Sequence, residues 1–248
     1  LEQARNNCFE DDWDHYTPPV PAFLGVKTFD DYDLHELTDY IDWTPFFHTW
    51  ELAGKYPKIL DDEVVGEHAR QLFADAQAML QKIVDEKWLT ARAVIGFFPV
   101  NSFDDDILVF ADESREEVVT VLHHLRQQLA KPPERPNWCL SDFIAPVETE
   151  VRDYIGAFAV TTGIGIEEQL KRFEATHDDY SSIMLKALAD RLAEAFAERM
   201  HERVRKEFWG YANDDAHFGH EAGLGWNVVF RRYTLGGCHD AQYHPRDQ

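Results

Sequence analysis

The spacing of apolar residues changes near residue 90, and that change constrains the fold more than any other feature of the chain. Between residues 62 and 87, Val65, Ala69, Leu72, Phe73, Ala76, Leu80 and Ile83 recur at steps of three and four, which predicts a long helix with one apolar stripe. Residues 91–100 are apolar and β-branched or aromatic, as in a buried strand, and residues 106–111 follow an acidic turn as its hairpin partner. Residues 118–125 fit strand or helix equally. Residues 153–161 form another strand, closed by Gly163 and Gly165. From Glu167 the helical spacing returns. Tyr180, Ile183, Met184, Ala187, Leu188, Leu192, Ala195 and Phe196 predict the inner face of a long helix reaching about Phe208, with Glu202 and Lys206 placed to pair on its outer side. Strands in the middle with helices before and after predict an α+β domain, an antiparallel sheet flanked by helices. Neither alternating βαβ units nor a G-x-G-x-x-G loop is present, which argues against a Rossmann-type nucleotide site.

Ahead of this core, the chain up to about Val26 is rich in Asp, aromatic residues and proline, and reads as an extended arm laid over the core. A first helix starts near Thr44, with Thr44 as N-cap and Pro45 in the first helical position, where its missing N–H costs nothing. Phe46, Phe47 and Trp50 fall on one side of it and Pro57 ends it.

The formal net charge of −22 over 248 residues argues against nucleic acid, whose phosphates need Lys and Arg, and against anionic membrane surfaces. It reads as a well-solvated acidic surface. No apolar run approaches the roughly 20 residues that span a bilayer, and a signal-peptide layout is missing, so a cytoplasmic location is expected. The start at Leu1, without Met, reads as a piece of something longer. Cys8, Cys139 and Cys238 are scattered and odd in number, which predicts reduced structural thiols.

The residues that could carry chemistry each have a plain structural reading. Adjacent His123 and His124 point in different directions on helix or strand, and His177 and His201 lack H-E-x-x-H spacing, so structural roles are expected rather than a metal site. Asp104-Asp105-Asp106 lacks the ligand spacing of a calcium loop and reads as a solvated acidic turn. Asp42, just ahead of the Thr44 helix, is either a helix-entry carboxylate or an acceptor for a cationic amine or ribose hydroxyl of a ligand. Glu194 lies between Ala193 and Ala195, beside the apolar stripe, where small neighbours leave room for a ligand; a boundary glutamate is equally common there. A nucleophile–base set, a P-loop and G-x-S-x-G are all missing.

Tyr40-Ile41-Asp42-Trp43-Thr44-Pro45-Phe46-Phe47 resembles the signature of the activation domain of cobalamin-dependent methionine synthases. It continues as Trp50-Glu51-Leu52-Ala53-Gly54-Lys55-Tyr56-Pro57. Further matches follow in family order: Gly96-Phe97-Phe98-Pro99-Val100-Asn101, Leu125-Arg126-Gln127-Gln128, Cys139-Leu140-Ser141-Asp142-Phe143, Asp153-Tyr154-Ile155-Gly156-Ala157-Phe158, and most of the long helix from Lys186 to Lys206. The resemblance runs from about residue 1 to 212. It implies a C-shaped α+β module around a twisted antiparallel sheet, with S-adenosylmethionine bound in an extended groove. It also implies a repair reaction, in which cobalamin on another module of the parent enzyme, oxidised to cob(II)alamin, is returned to methylcobalamin by one electron from a flavodoxin-type donor and a methyl group from S-adenosylmethionine. On the same resemblance Asp42 matches a ligand contact and Glu194 a second acidic position on the binding side. Both would hold the cationic ligand in line rather than act as acid or base.

The resemblance stops after Trp209-Gly210-Tyr211-Ala212. Family members continue into an Arg-Pro-x-Pro-Gly-Tyr-Pro loop that contacts S-adenosylmethionine, whereas residues 213–248 here are rich in Gly, His and Arg with little periodicity. A reading-frame break near residue 213, or a truncated gene model, is the expectation, and with it weak or absent ligand binding and no full reaction from this chain alone. Under that reading a docking role, toward the electron donor or the cobalamin module, is the competing function.

Overall fold

The computed structural model describes residues 2–9 and 12–212. In chain order these form α1 (Glu2–Arg5), β1 (Gly25–Tyr32), α2 (Leu34–Leu37), a 3₁₀ turn (Thr38–Tyr40), α3 (Thr44–Thr49), a second 3₁₀ turn (Lys58–Asp61), α4 (Gly66–Asp85), β2 (Thr90–Phe103), β3 (Asp106–Phe110), β4 (Val118–His123), two further 3₁₀ turns, β5 (Asp153–Ile164), α5 (Ile166–Ala175) and α6 (Asp179–Arg203), which runs into a π turn (Val204–Phe208). The sheet has the order β1-β2-β3-β4, with β5 also paired to β2; β2–β3 and β3–β4 are antiparallel. This is the expected α+β class. The chain divides into two compact units, the described parts of residues 1–27, 95–158 and 202–212 forming one and residues 28–94 and 159–201 the other.

In the first unit, Phe103 pairs with Asp106, leaving Asp104 and Asp105 as a two-residue hairpin loop; Asp104 takes the positive φ of 53° that such a tight turn requires. Residues 118–125, ambiguous in sequence, pair with β3 as strand β4, Ile107 opposite Leu122. Val100, Ile107, Val109, Ile144 and Ile155 form the apolar centre. Asn101 and Arg115, beside it, pair with each other and with backbone carbonyls. The Asn101 amide donates to the carbonyls of Ala145 (2.9 Å) and Val151 (2.8 Å), and its oxygen accepts from Arg115 (2.6 Å). The Arg115 guanidinium also donates to the carbonyls of Val100 and Asp153 and lies 5.7 Å and 5.6 Å from the ring centres of Phe110 and Tyr154.

The acidic turn departs from expectation. Asp105 is buried, with Oδ1 accepting from Arg126 Nε (2.8 Å) and Oδ2 from Arg5 Nε (3.0 Å), while Arg126 makes a two-point contact with Asp142 (2.8 and 2.5 Å) and donates to the Asn137 carbonyl. Two arginines thus neutralise two carboxylates, which is what permits an aspartate to leave water. The opening arm begins with the short helix α1 rather than being extended throughout, and it is fastened to this unit: Asn7 bonds to Asn137, Phe9 packs on Trp138 and Phe143, and the Trp209 indole donates to the Pro19 carbonyl.

Gly156 of β5 is a glycine in this unit that packs against buried rings. A Cβ there would lie 2.8 Å from Phe97 Cε1 and 3.2 Å from Trp209 Cζ3, and both rings are buried. Gly156→Ala is therefore expected to cost about 1–3 kcal/mol by overpacking, read as a lower urea midpoint. An unchanged midpoint would show that the rings can move aside.

The second unit holds α3–α5 and most of α6. The apolar stripe of α4 is as expected, with Ala69, Leu72, Ala76, Leu80 and Ile83 buried. The helix begins at Gly66 rather than 62, because Asp62 Oδ1 accepts from the amides of Val64 (2.8 Å) and Val65 (3.0 Å) as a turn; those two amides, Val65 first, hold its carboxyl below the usual range. The helix at Thr44 is shorter than expected. Thr44 is its first residue rather than its cap, and it ends at Thr49. Phe46 and Phe47 are completely buried, in a ring cluster with Trp43, Tyr56 and Phe73. In α6, Met184, Leu185, Leu188, Leu192, Ala195, Phe196 and Met200 are buried, whereas Tyr180 and Ile183, expected on the inner face, are 43% and 46% exposed. Burial of Leu185 and Ala189 as well widens the covered face beyond a single stripe, and the Thr162 hydroxyl bonds to the Ala189 carbonyl (2.8 Å). Strand β1, largely exposed and polar (Lys27, Thr28, Asp30, Asp31), had no apolar alternation to announce it.

Candidate functional site

Asp42 and Glu194 both belong to the second unit. Asp42 is exposed, between Ile41 (9% exposed) and Trp43 (7%), whose side chains turn inward. Trp43 meets Phe46 and Phe73 edge to face at 5.4 Å and 4.9 Å. With both neighbours anchored, the backbone at Asp42 has little freedom and the carboxylate is presented outward. Its Oδ1 accepts from the Thr44 amide at 2.9 Å, satisfying one donor at the start of α3. The helix-entry role and a ligand role are compatible, since a carboxylate has several acceptor sites.

Glu194 is half-buried on α6. Arg191, one turn earlier and itself buried, approaches its Oε1 at 3.7 Å and also pairs with Asp190. The carboxylate is thus held from one side by a guanidinium with little freedom of its own.

The elements that carry the two residues meet. Tyr32 packs on Phe196 with ring centres 4.5 Å apart, Arg199 donates to Glu36 (Nε–Oε1 2.7 Å, Nη2–Oε1 2.5 Å), and its guanidinium lies 5.7 Å from the Tyr40 ring centre. The stretch leading to Asp42 is therefore seated on α6. At about 100° per residue, Arg199 stands about 140° and Phe196 about 200° around the helix from Glu194, so these contacts use a different flank from the one bearing Glu194. They join the carriers through a flank of α6 other than the one that bears Glu194. A hollow of about 310 Å³ elsewhere in this unit, lined by Met79, Lys82, Trp88, Phe173 and Met184 among others, includes neither residue.

His123 Nδ1 sits 2.9 Å from Asp106 Oδ2 across the β3–β4 ladder, and burial pushes the neighbouring His124 below its ordinary pKa. Cys139 is buried, with its thiol 3.5 Å from the Asp105 carbonyl oxygen, and Cys238 falls outside the described residues. The residues that sequence spacing missed are Glu36, Tyr40 and Arg199. Their partnership spans 163 positions, and each alone looks like an ordinary surface residue.

Residues 33–222 match the family model for the activation domain of vitamin B12 dependent methionine synthase. A crystal structure of the MetH reactivation domain bound to AdoHcy is similar, with a TM-score of 0.84 and 56% identity over 88% of this chain. The chain spans 66% of that structure's chain, just under two thirds. The family match reaches ten residues past Ala212, into the stretch outside the described residues.

Proposed function

Because the chain belongs to the family of vitamin B12 dependent methionine synthase activation domains, we propose that it binds S-adenosylmethionine as the reactivation module of such an enzyme, with Asp42 as the principal ligand carboxylate and Glu194 as a second. The observation that carries this reading is the outward presentation of Asp42 between two anchored residues. An anionic group held in place there suits a ligand that is cationic at both its sulfonium and its ammonium. When bound, S-adenosylmethionine supplies a methyl group to cobalamin on a separate module. The contribution of this chain is to bind and orient the ligand. Residues 1–212 are assigned to that module; the family match continues to residue 222, and the stretch beyond it to residue 248 is assigned to a tail outside the match. The electron donor is proposed to be of flavodoxin type; with a net charge of −22, its own docking surface must gather local basic residues to meet an acidic partner. Among the described residues there is no helix long and apolar enough to cross a membrane, and a cytoplasmic location is proposed.

Isothermal titration with S-adenosylmethionine tests this reading. Weak binding is expected because the Pro-Gly-Tyr loop is missing, and Asp42→Asn, whose oxygen can still accept from the Thr44 amide, is expected to weaken it about tenfold further, the loss of roughly 1.4 kcal/mol that a charge-assisted contact supplies. Glu194→Gln should weaken it less, since Arg191 already neutralises that carboxylate. If Asp42→Asn binds as well as the wild type, Asp42 is a turn residue and nothing more. A second reading, a docking module without its own ligand, is favoured by the missing Arg-Pro-x-Pro-Gly-Tyr-Pro segment after Ala212. Absence of heat with S-adenosylmethionine together with binding of the cobalamin module or of flavodoxin would select it.

A further inference from the structure

We infer that Arg199 is a positioning residue for ligand binding: it clasps the stretch that ends in Asp42 to α6, and through Asp42 it sets the affinity of the site. This rests on the reading of Asp42 as a ligand carboxylate. Both nitrogens of the fork reach Glu36 Oε1, Nε at 2.7 Å and Nη2 at 2.5 Å, and the flat face of the same guanidinium covers Tyr40. Glu36 lies in α2 and Tyr40 closes the following 3₁₀ turn, so one side chain holds both ends of a short rigid piece. Beyond Tyr40 the chain has no slack before Asp42, because Ile41 and Trp43 are buried on either side of it. A shift of the clasp is therefore transmitted to the Asp42 carboxylate.

The Glu36 carboxylate is 39% exposed, and pairs of that kind add little to folding stability. The clasp should matter more for geometry than for stability, which separates a positioning role from a merely structural one. Lysine cannot replace it, having neither a two-point fork nor a planar face for Tyr40.

The experiment is a double-mutant cycle on the full chain, with S-adenosylmethionine affinity and the thermal midpoint measured for wild type, Arg199→Lys, Asp42→Asn and the pair. Arg199→Lys is expected to weaken binding about three- to tenfold in the wild-type background and less than about twofold once Asp42 is already Asn, because groups that act through one another are not additive. The change in thermal midpoint should be small and equal in both backgrounds. Equal losses of affinity in both backgrounds, or no loss in either, overturn the inference while leaving Asp42 as a ligand residue. Neutrality of Asp42→Asn itself, or no binding by the wild type, overturns both.

Discussion

Replacing Arg126 with methionine is expected to destabilise the protein by about 3–5 kcal/mol, because it leaves two carboxylates out of water without their counter-charge. The Arg126 side chain is 4% exposed, Asp105 12% and Asp142 5%. Arg5 still reaches Asp105, but from a side chain that is nearly half exposed, and Asp142 keeps only the Cys139 amide at 2.9 Å. The effect should depend on pH in a defined direction. Burial by itself would raise the Asp105 carboxyl, yet hydrogen bonds from Arg126 and Arg5 outweigh it and hold the group below its ordinary value. A group depressed in the folded state contributes stability that is fully present above the unfolded pKa, near 3.9 for aspartate, and lost as pH falls through the lower folded value. In Arg126→Met the sign reverses, since a buried, poorly paired carboxylate has a raised folded pKa. The gap between variant and wild type should be widest near neutrality and narrow toward acid. Urea unfolding at pH 7, 5 and 4 reads this directly. A loss under about 1 kcal/mol at pH 7, or a gap that does not vary with pH, would show that water reaches these carboxylates.

Phe47→Ala is expected to cost a similar amount, about 3–5 kcal/mol, for a different reason. The Phe47 ring is completely buried, 5.6 Å from Phe46, 6.2 Å from Phe73 and 6.4 Å from Tyr56, and four rings cannot collapse into the space of a fifth. Its carbonyl also accepts from Trp50 (3.1 Å) and Leu52 (3.0 Å), so the end of α3 is built around it. Phe47→Leu, which keeps most of the volume, should cost less than about 1.5 kcal/mol. Because α3 begins two residues after Asp42, the alanine variant should lose S-adenosylmethionine affinity along with stability, and the leucine variant should retain it. Equal stabilities of the two variants in urea would mean that the ring cluster repacks around the gap.

The elements legible in the sequence are those whose cause is local. The α4 stripe, the β2–β3 hairpin and strand β5 follow from neighbours a few positions apart, although β5 runs through Gly163 to Ile164 and only Gly165, at φ 97°, closes it. Residues 118–123 were not legible, since Val-Val-Thr-Val-Leu suits either geometry and only the ladder to β3 decides. The long α6 helix was legible in extent but not in orientation: burial reaches Leu185 and Ala189 as well as the expected stripe, while Tyr180 and Ile183 stay exposed, a division that depends on what packs around it. Asp42 and Glu194 were picked out by resemblance. Chemistry alone left both open, because a carboxylate at a helix entry or at a helix boundary is the same residue whether or not a ligand comes to it.

The family motifs gain a physical meaning here that their letters do not show. Arg126 and Asp142 stand in two motifs 16 positions apart and are partners in one buried ion pair. Asn101, from a third motif, bridges the carbonyls of Ala145 and Val151. Part of what marks the family in the first unit is therefore the satisfaction of polar groups in the core.

By itself the chain determined its longest helices and the β2–β3 hairpin, its acidic balance and the family to which its motifs point, all properties of backbone repeat, composition or order along the chain. Which charges leave water was decided only in three dimensions. A run of three aspartates looks solvated until an arginine 21 positions from the middle one closes on it, and Arg199 looks like an ordinary surface cation until Glu36, 163 positions away, meets it. The reason is energetic: a charge can be buried only where an opposite charge or a set of dipoles replaces its water, and which distant group does so is a property of the assembled fold.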